Sequence, residues 1–127
     1  MPYIDFNTQK KIPIWEGISA RLAHSGQSTF AQVTLEAGAA AARHQHPHEQ
    51  WTYVLEGEMI FELDAEEKIL LPGMAAHIPS NTFHSAKTIT GCKVIDLFMP
   101  VREDFVELEK KMGLEIKNKK SVSFRLN

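Results

Sequence analysis

Gly38-Ala39-Ala40-Ala41-Ala42-Arg43-His44-Gln45-His46-Pro47-His48-Glu49-Gln50-Trp51-Thr52-Tyr53-Val54-Leu55-Glu56-Gly57 is the stretch whose reading decides the fold. His44 and His46 are two residues apart, so on a strand both imidazoles leave the same face. Pro47 ends that strand. From Gln50 the side chains alternate again, with Gln50, Thr52 and Val54 on one face and Trp51, Tyr53 and Leu55 on the other. A two-residue loop at Glu56-Gly57 predicts a hairpin with Glu58–Leu63, pairing Leu55 with Glu58, Val54 with Met59 and Thr52 with Phe61. The face carrying Gln50, Thr52, Val54, Met59, Phe61 and Leu63 is the candidate interior, with its polar group at one end. On the outer face Trp51, Tyr53 and Ile60 form an apolar cluster, to be covered by a second subunit or by the chain's own N-terminal segment.

Outward from this stretch, glycine and proline punctuate the chain at Gly17, Gly26, Gly38, Pro47, Gly57, Pro72-Gly73, Pro79, Gly91 and Pro100. Between them lie the β-rich runs 30–35, 51–55, 59–63, 68–71 and 94–98. Short strands at such spacing indicate an all-β sandwich or barrel. The one helical signal is late: Phe105, Leu108 and Met112 recur at helical intervals, acidic Glu103 and Asp104 precede basic Lys110 and Lys111, and Gly113 stands where a C-cap belongs. This predicts a short helix over about 102–112 and a basic tail over 113–127, with 121–126 as a possible edge strand.

The 127 residues fit one domain, 1–127, with a core at about 30–100. A single cysteine, Cys92, permits no internal disulfide and fits a reducing, cytoplasmic setting. A net charge of −2 excludes a general basic field for nucleic acid. No run approaches the roughly eighteen apolar residues of a membrane span, and the N-terminus reads as no signal peptide.

The histidines carry the chemistry. His84 follows the turn Pro79-Ser80-Asn81, and an inward-facing Gln50 would add an amide oxygen to His44, His46 and His84. Three imidazoles and an amide suit one divalent transition metal (Ni, Zn, Fe, Co or Mn). Taken alone, the 44–48 segment also reads as a solvated loop and His84 as a core histidine. Glu49 is the competing carboxylate, but strand alternation turns it outward. His48 is placed in a loop near the metal mouth, His77 outward, and His24 in a loop. Further on, Val94, Asp96 and Phe98 share a strand face and Arg102 follows Pro100. Alone, these read first as an inter-strand polar partner and a helix-start charge; on an interior face they put a carboxylate, a ring and a guanidinium at the cavity.

The pattern resembles the cupin superfamily. Its first motif is matched by Gly38, five residues, His44-Gln45-His46, three residues, Gln50, six residues and Gly57. Its second is matched by Gly73, five residues, Pro79-Ser80-Asn81, two residues and His84, with Asn81 in place of the turn glycine and Thr88 in place of the final asparagine. Fifteen residues separate the two motifs, as in small microbial cupins. The resemblance implies a double-stranded β-helix, the jelly-roll barrel.

Within that superfamily the chain is similar to the KdgF type of pectin and uronate breakdown over most of residues 30–105. That resemblance implies metal ligands His44, His46, Gln50 and His84, with Asp96, Phe98 and Arg102 in the substrate pocket. It also implies conversion of 4,5-unsaturated uronate monosaccharides to the linear 4-deoxy-5-keto form. The expected ligand is a small anionic sugar acid and the expected assembly a homodimer. A neutral amide in place of the usual glutamate leaves a divalent ion its full charge, which favours an anion and disfavours oxygen activation. The alternatives are a metal-dependent dioxygenase on the same fold and a non-catalytic small-acid or sugar-binding cupin.

Overall fold

The computed structural model describes residues 3–113. Two antiparallel sheets make the body of the molecule, and their topology follows from where the alternating runs can bury their apolar face. The strands are β1 (Ile12–Trp15), β2 (Ile18–His24), β3 (Thr29–Leu35), β4 (Ala40–His44), β5 (Glu49–Gly57), β6 (Met59–Leu63), β7 (Glu66–Leu70), β8 (Ala75–Ile78), β9 (His84–Lys87) and β10 (Cys92–Met99). Six strands run in the order β1-β2-β3-β10-β5-β8, and four in the order β4-β9-β6-β7. A 3-10 turn, Phe6–Thr8, precedes them, and helix α1 occupies 103–113. The tail beyond 113, with its expected edge strand at 121–126, lies outside the described residues.

Strand alternation in the six-stranded sheet is regular enough to read its inner face row by row. One row joins Ala20, Val33, Val94 and Val54 across β2, β3, β10 and β5. The next joins Leu22, Ala31, Asp96 and Thr52, and the next His24, Thr29, Phe98 and Gln50. The rows change from wholly apolar to mixed within two steps, so the core fills one end and a polar site occupies the other. Val54 and Val94 are buried in the apolar row, and Leu22 and Ile78, buried as well, back the two mixed rows beside Thr52 and Gln50.

The expected β5–β6 hairpin does not form. Val54 pairs with Val94, and Thr52 with Asp96 and Ala76, while β6 pairs with β7 and β9 in the other sheet. The chain crosses between sheets at Gly57, whose φ is +78°. A Cβ there would come within 2.2 Å of the Gly91 carbonyl oxygen, so the crossing requires glycine. Alternation had assigned the faces correctly: Gln50, Thr52, Val54, Met59 and Phe61 are buried, and Trp51 and Tyr53 exposed. It could not assign the partner strand. Ile60 accordingly lies opposite Ile69 and Lys87, in the other sheet from Trp51 and Tyr53, and is not part of their cluster. A tight hairpin forms instead between β6 and β7, turning at Asp64 and Ala65 with φ of 49° and 70°.

Helix α1 packs Phe105 against Phe98, with ring centroids 5.7 Å apart at right angles. His24, expected in a loop, ends β2 and ties this helix down. Its Nδ1 lies 2.9 Å from the Thr29 hydroxyl and its Nε2 3.2 Å from a Glu109 carboxylate oxygen. Thr29 also accepts the Arg102 backbone N–H at 2.9 Å.

Candidate metal centre and substrate pocket

The polar end of the sandwich gathers His44, His46 and His84. One ligand atom from each lies within 4.8 Å of the other two. His44 closes β4 opposite His84 at the start of β9, after a register shift between Ala41 and His44. That bulge lets Ala41 and His44 share the inner face despite their odd separation. His46 follows in the connection to β5. Asn81, with φ of 57°, donates its backbone N–H to the His46 carbonyl at 2.8 Å. This contact clamps the second motif's turn onto the first motif.

Hydrogen bonds settle the imidazole tautomers. His44 Nδ1 is 2.6 Å from the Ala42 carbonyl, His46 Nδ1 3.0 Å from the His48 carbonyl, and His84 Nδ1 2.8 Å from the Thr82 carbonyl. A carbonyl only accepts, so each Nδ1 carries the proton and each Nε2 presents a lone pair. His84 Nε2 is buried without a hydrogen-bond partner. His46 Nε2 faces the Gln50 side-chain oxygen at 3.0 Å, acceptor against acceptor. A cation satisfies all of these lone pairs at once, so the donor set fits a divalent transition metal, with the backbone carbonyls orienting the ligands from behind.

Electrostatics favour the same state. Burial lowers the His84 pKa to about 4, and burial together with the Arg102 guanidinium lowers that of His46. Both rings are therefore neutral, as metal ligands must be.

Gln50 is buried and inward; Glu49 is outward, paired with His77 at 2.5 Å. His77 packs against Trp51 outside the sheet with the rings tilted, in keeping with its outward placement. His48, expected near the metal mouth, lies in the loop, and its carbonyl holds His46.

Asp96, Phe98 and Arg102 all line one cavity of about 280 Å³ with the three histidines and Gln50. Asp96 accepts the Thr52 hydroxyl proton at 2.7 Å, and Thr52 accepts from the Gln50 amide at 2.8 Å. Burial raises the Asp96 pKa to about 6, against the opposing pull of hydrogen bonding from the Thr52 and Gln50 side chains and of the Arg102 guanidinium. A carboxyl poised there exchanges protons near neutrality. The Arg102 guanidinium carbon lies 4.7 Å from the Phe98 ring centroid and 3.9 Å from that of Phe105. Its fork is engaged by Asp104, a partner the sequence reading missed. Trp15, from β1, was missed as well: it lines the cavity with its ring 5.3 Å from His44. Its signal was lost because β1 is distant in sequence from both motifs.

A Cupin domain family model matches residues 31–98. That span covers more than half of the chain, and the chain belongs to the cupin family. Among solved structures it is similar to KdgF from Halomonas sp., at 31% identity and a TM-score of 0.78, covering 83% of this chain and 98% of that one. It is also similar to an RmlC-like cupin from Shewanella frigidimarina, at 28% identity and a TM-score of 0.79, covering 83% and 96%. The polyketide cyclase RemF from Streptomyces resistomycificus, at 19% identity and a TM-score of 0.71 over 78% and 79%, shares the fold. No curated protein sequence matches the chain. Among the described residues no helix is long and apolar enough to cross a membrane.

Proposed function

We propose that this cupin holds one divalent transition metal on His44, His46, Gln50 and His84 and converts 4,5-unsaturated uronate monosaccharides to linear 4-deoxy-5-keto uronates. The observation that carries the reading is the meeting, in one small cavity, of a ligand set without a carboxylate and the trio Asp96, Phe98 and Arg102. The likeness to KdgF from Halomonas sp. supports the same assignment.

The chemistry needs no nucleophile. The substrate is a cyclic hemiacetal whose ring oxygen is also an enol ether oxygen. Taking the proton from the anomeric hydroxyl breaks the bond from C1 to the ring oxygen. An aldehyde forms at C1 and an enolate at C5, and a proton added at C4 completes the ketone. One proton leaves an oxygen and one arrives at carbon, so the step is an isomerisation without a co-reactant. When bound, the metal supplies a positive centre that favours the substrate carboxylate and a neighbouring oxygen. Asp96, with its pKa near neutrality, takes and returns the proton. Arg102 steers the carboxylate, and Phe98 shapes the wall and excludes water.

The exposed outer face around Trp51 and Tyr53 supports a homodimer that covers it. The enzymatic test is direct. Metal-loaded protein is mixed with lyase-generated unsaturated uronates, and the ultraviolet absorbance of the conjugated double bond is followed. Protein-dependent loss, with the linear keto acid as product, supports the reading. Oxygen consumption instead would favour the dioxygenase alternative, and tight binding without turnover a sugar-acid binding module.

A further inference from the structure

We propose that Thr52 is a positioning residue: relayed through its single hydroxyl proton, the Asp96 carboxylate fixes which end of the Gln50 amide faces the three histidines. This inference rests on the metal-site part of the proposed function and not on the uronate chemistry.

The argument is one of donors and acceptors. A Gln side chain has an oxygen that accepts and a nitrogen that donates, nearly identical in shape, so only its neighbours decide its orientation. Thr52 is 1% exposed, paired in register with Asp96 on the adjoining strand and two residues from Gln50 on its own. Its hydroxyl has one proton. Asp96 Oδ1 takes it at 2.7 Å, so the remaining capacity of the Thr52 oxygen is to accept. The partner 2.8 Å away must then be the Gln50 NH2 group, and the Gln50 oxygen is left 3.0 Å from His46 Nε2, aimed into the cluster of lone pairs.

In the opposite orientation the amide oxygen would face Thr52 and compete with Asp96 for that one proton. The NH2 group would then donate to His46 Nε2 and block it as a ligand. The Asp96–Thr52 bond selects between two orientations that the amide alone does not distinguish. A glutamate at position 50 would need no such device, because both of its oxygens can ligate.

The test uses Co²⁺ as the probe, titrated into metal-free full-length protein and followed by calorimetry and by the visible ligand-field spectrum. Thr52→Val keeps the shape and removes both hydrogen bonds. We expect Co²⁺ affinity to fall by about 10- to 100-fold, the usual effect of losing a group that orients a ligand. The ligand-field bands should shift as well. Thr52→Ser, which retains the hydroxyl, should restore both readouts. In a Gln50→Leu background, Thr52→Val should cause no further loss, because no amide remains to be oriented. Thr52→Ala repeats the comparison with less bulk should the valine fail to fold. Unchanged affinity and spectrum in either folded variant overturns the proposal, as does an equal loss in the Gln50→Leu background. Wild-type protein that binds no Co²⁺ overturns the metal site and this inference together. Wild-type protein that binds Co²⁺ but turns over no uronate overturns only the substrate assignment.

Discussion

Asp104 grips Arg102 with both carboxylate oxygens, Oδ1 taking Nε–H at 3.0 Å and Oδ2 taking an Nη2–H at 2.8 Å. The Arg102 side chain is 11% exposed and that of Asp104 59%, so the carboxylate lies toward solvent and the guanidinium toward the cavity. On the proposed function, an incoming substrate carboxylate would meet an arginine whose fork is already shared. Asp104→Asn should strengthen binding of anionic ligands, lowering KM or Kd by about 3- to 10-fold, since a charge-assisted competitor becomes a neutral one. Arg102→Ala should act in the opposite sense and chiefly on binding, by about 10- to 150-fold. Steady-state kinetics on unsaturated uronates check both; no change in either variant removes Arg102 from the binding role.

Removing any one of the three imidazoles should empty the metal centre. His44→Ala, His46→Ala and His84→Ala are each expected to lose bound metal by elemental analysis while keeping the β-sheet circular dichroism. Gln50→Glu should retain the ion but weaken anionic ligands, because a carboxylate cancels one of its charges. Tighter binding of a carboxylate by that variant would contradict the electrostatic argument.

Asp96 and His84 give the metal-free protein opposing pH dependences. Burial raises the Asp96 pKa from 3.8 to about 6, so between those values the folded state binds the extra proton, and stability falls as pH rises through the window. The His84 pKa is lowered from 6.5 to about 4, so there the unfolded state binds the extra proton, and stability rises with pH. The two windows overlap and largely offset each other. Asp96→Asn should unmask the histidine slope, so that Tm climbs more steeply from pH 4 to 6.5 than in the wild type. The same variant, on metal-loaded enzyme, should lose about 10²- to 10⁴-fold in kcat, the usual contribution of a positioned acid–base group.

The outer face of the six-stranded sheet places Phe30 and Trp51 opposite Leu97, and Tyr53 opposite Ile95. Phe6 packs on Phe30 at a centroid distance of 5.4 Å, while Trp51 and Tyr53 stay 46% and 44% exposed. Sedimentation should show a dimer, and Trp51→Glu should dissociate it by placing a charge on the apolar face. A wild-type monomer would refute this.

Strand alternation explains why so much of the site was legible before the fold was known. A period of two determines which face each residue takes, so the inward Gln50, the outward Glu49 and the shared face of Asp96 and Phe98 all followed from spacing. The same period is silent on which strand lies alongside. The β5–β6 pairing was therefore misassigned, although each of their residues was given the right face, and Ile60 was grouped with aromatics that belong to the other sheet. The strand Ile12–Trp15 carries a proline and is apolar at every position, so its sequence marks no face and the wall that Trp15 adds near His44 left no local mark. Asp104 was hidden for a different reason. Two residues after an arginine at a helix start it reads as a favourable N-terminal charge, and only the side-chain geometry shows it in the guanidinium fork.

The division of the proposed ligands between the sheets has a mechanical consequence. His44 and His84 belong to the four-stranded sheet, Gln50 to the six-stranded one, and His46 to the chain between them. An ion held by all four is a rivet through two layers that face each other across a cavity at this end. Folding and metal uptake then become a single linked equilibrium. At free metal about a hundredfold above Kd the folded state gains about 2.7 kcal/mol. Chelation would open the seam at the ligand end first and leave the apolar row Ala20, Val33, Val94 and Val54 buried in the core at the far end.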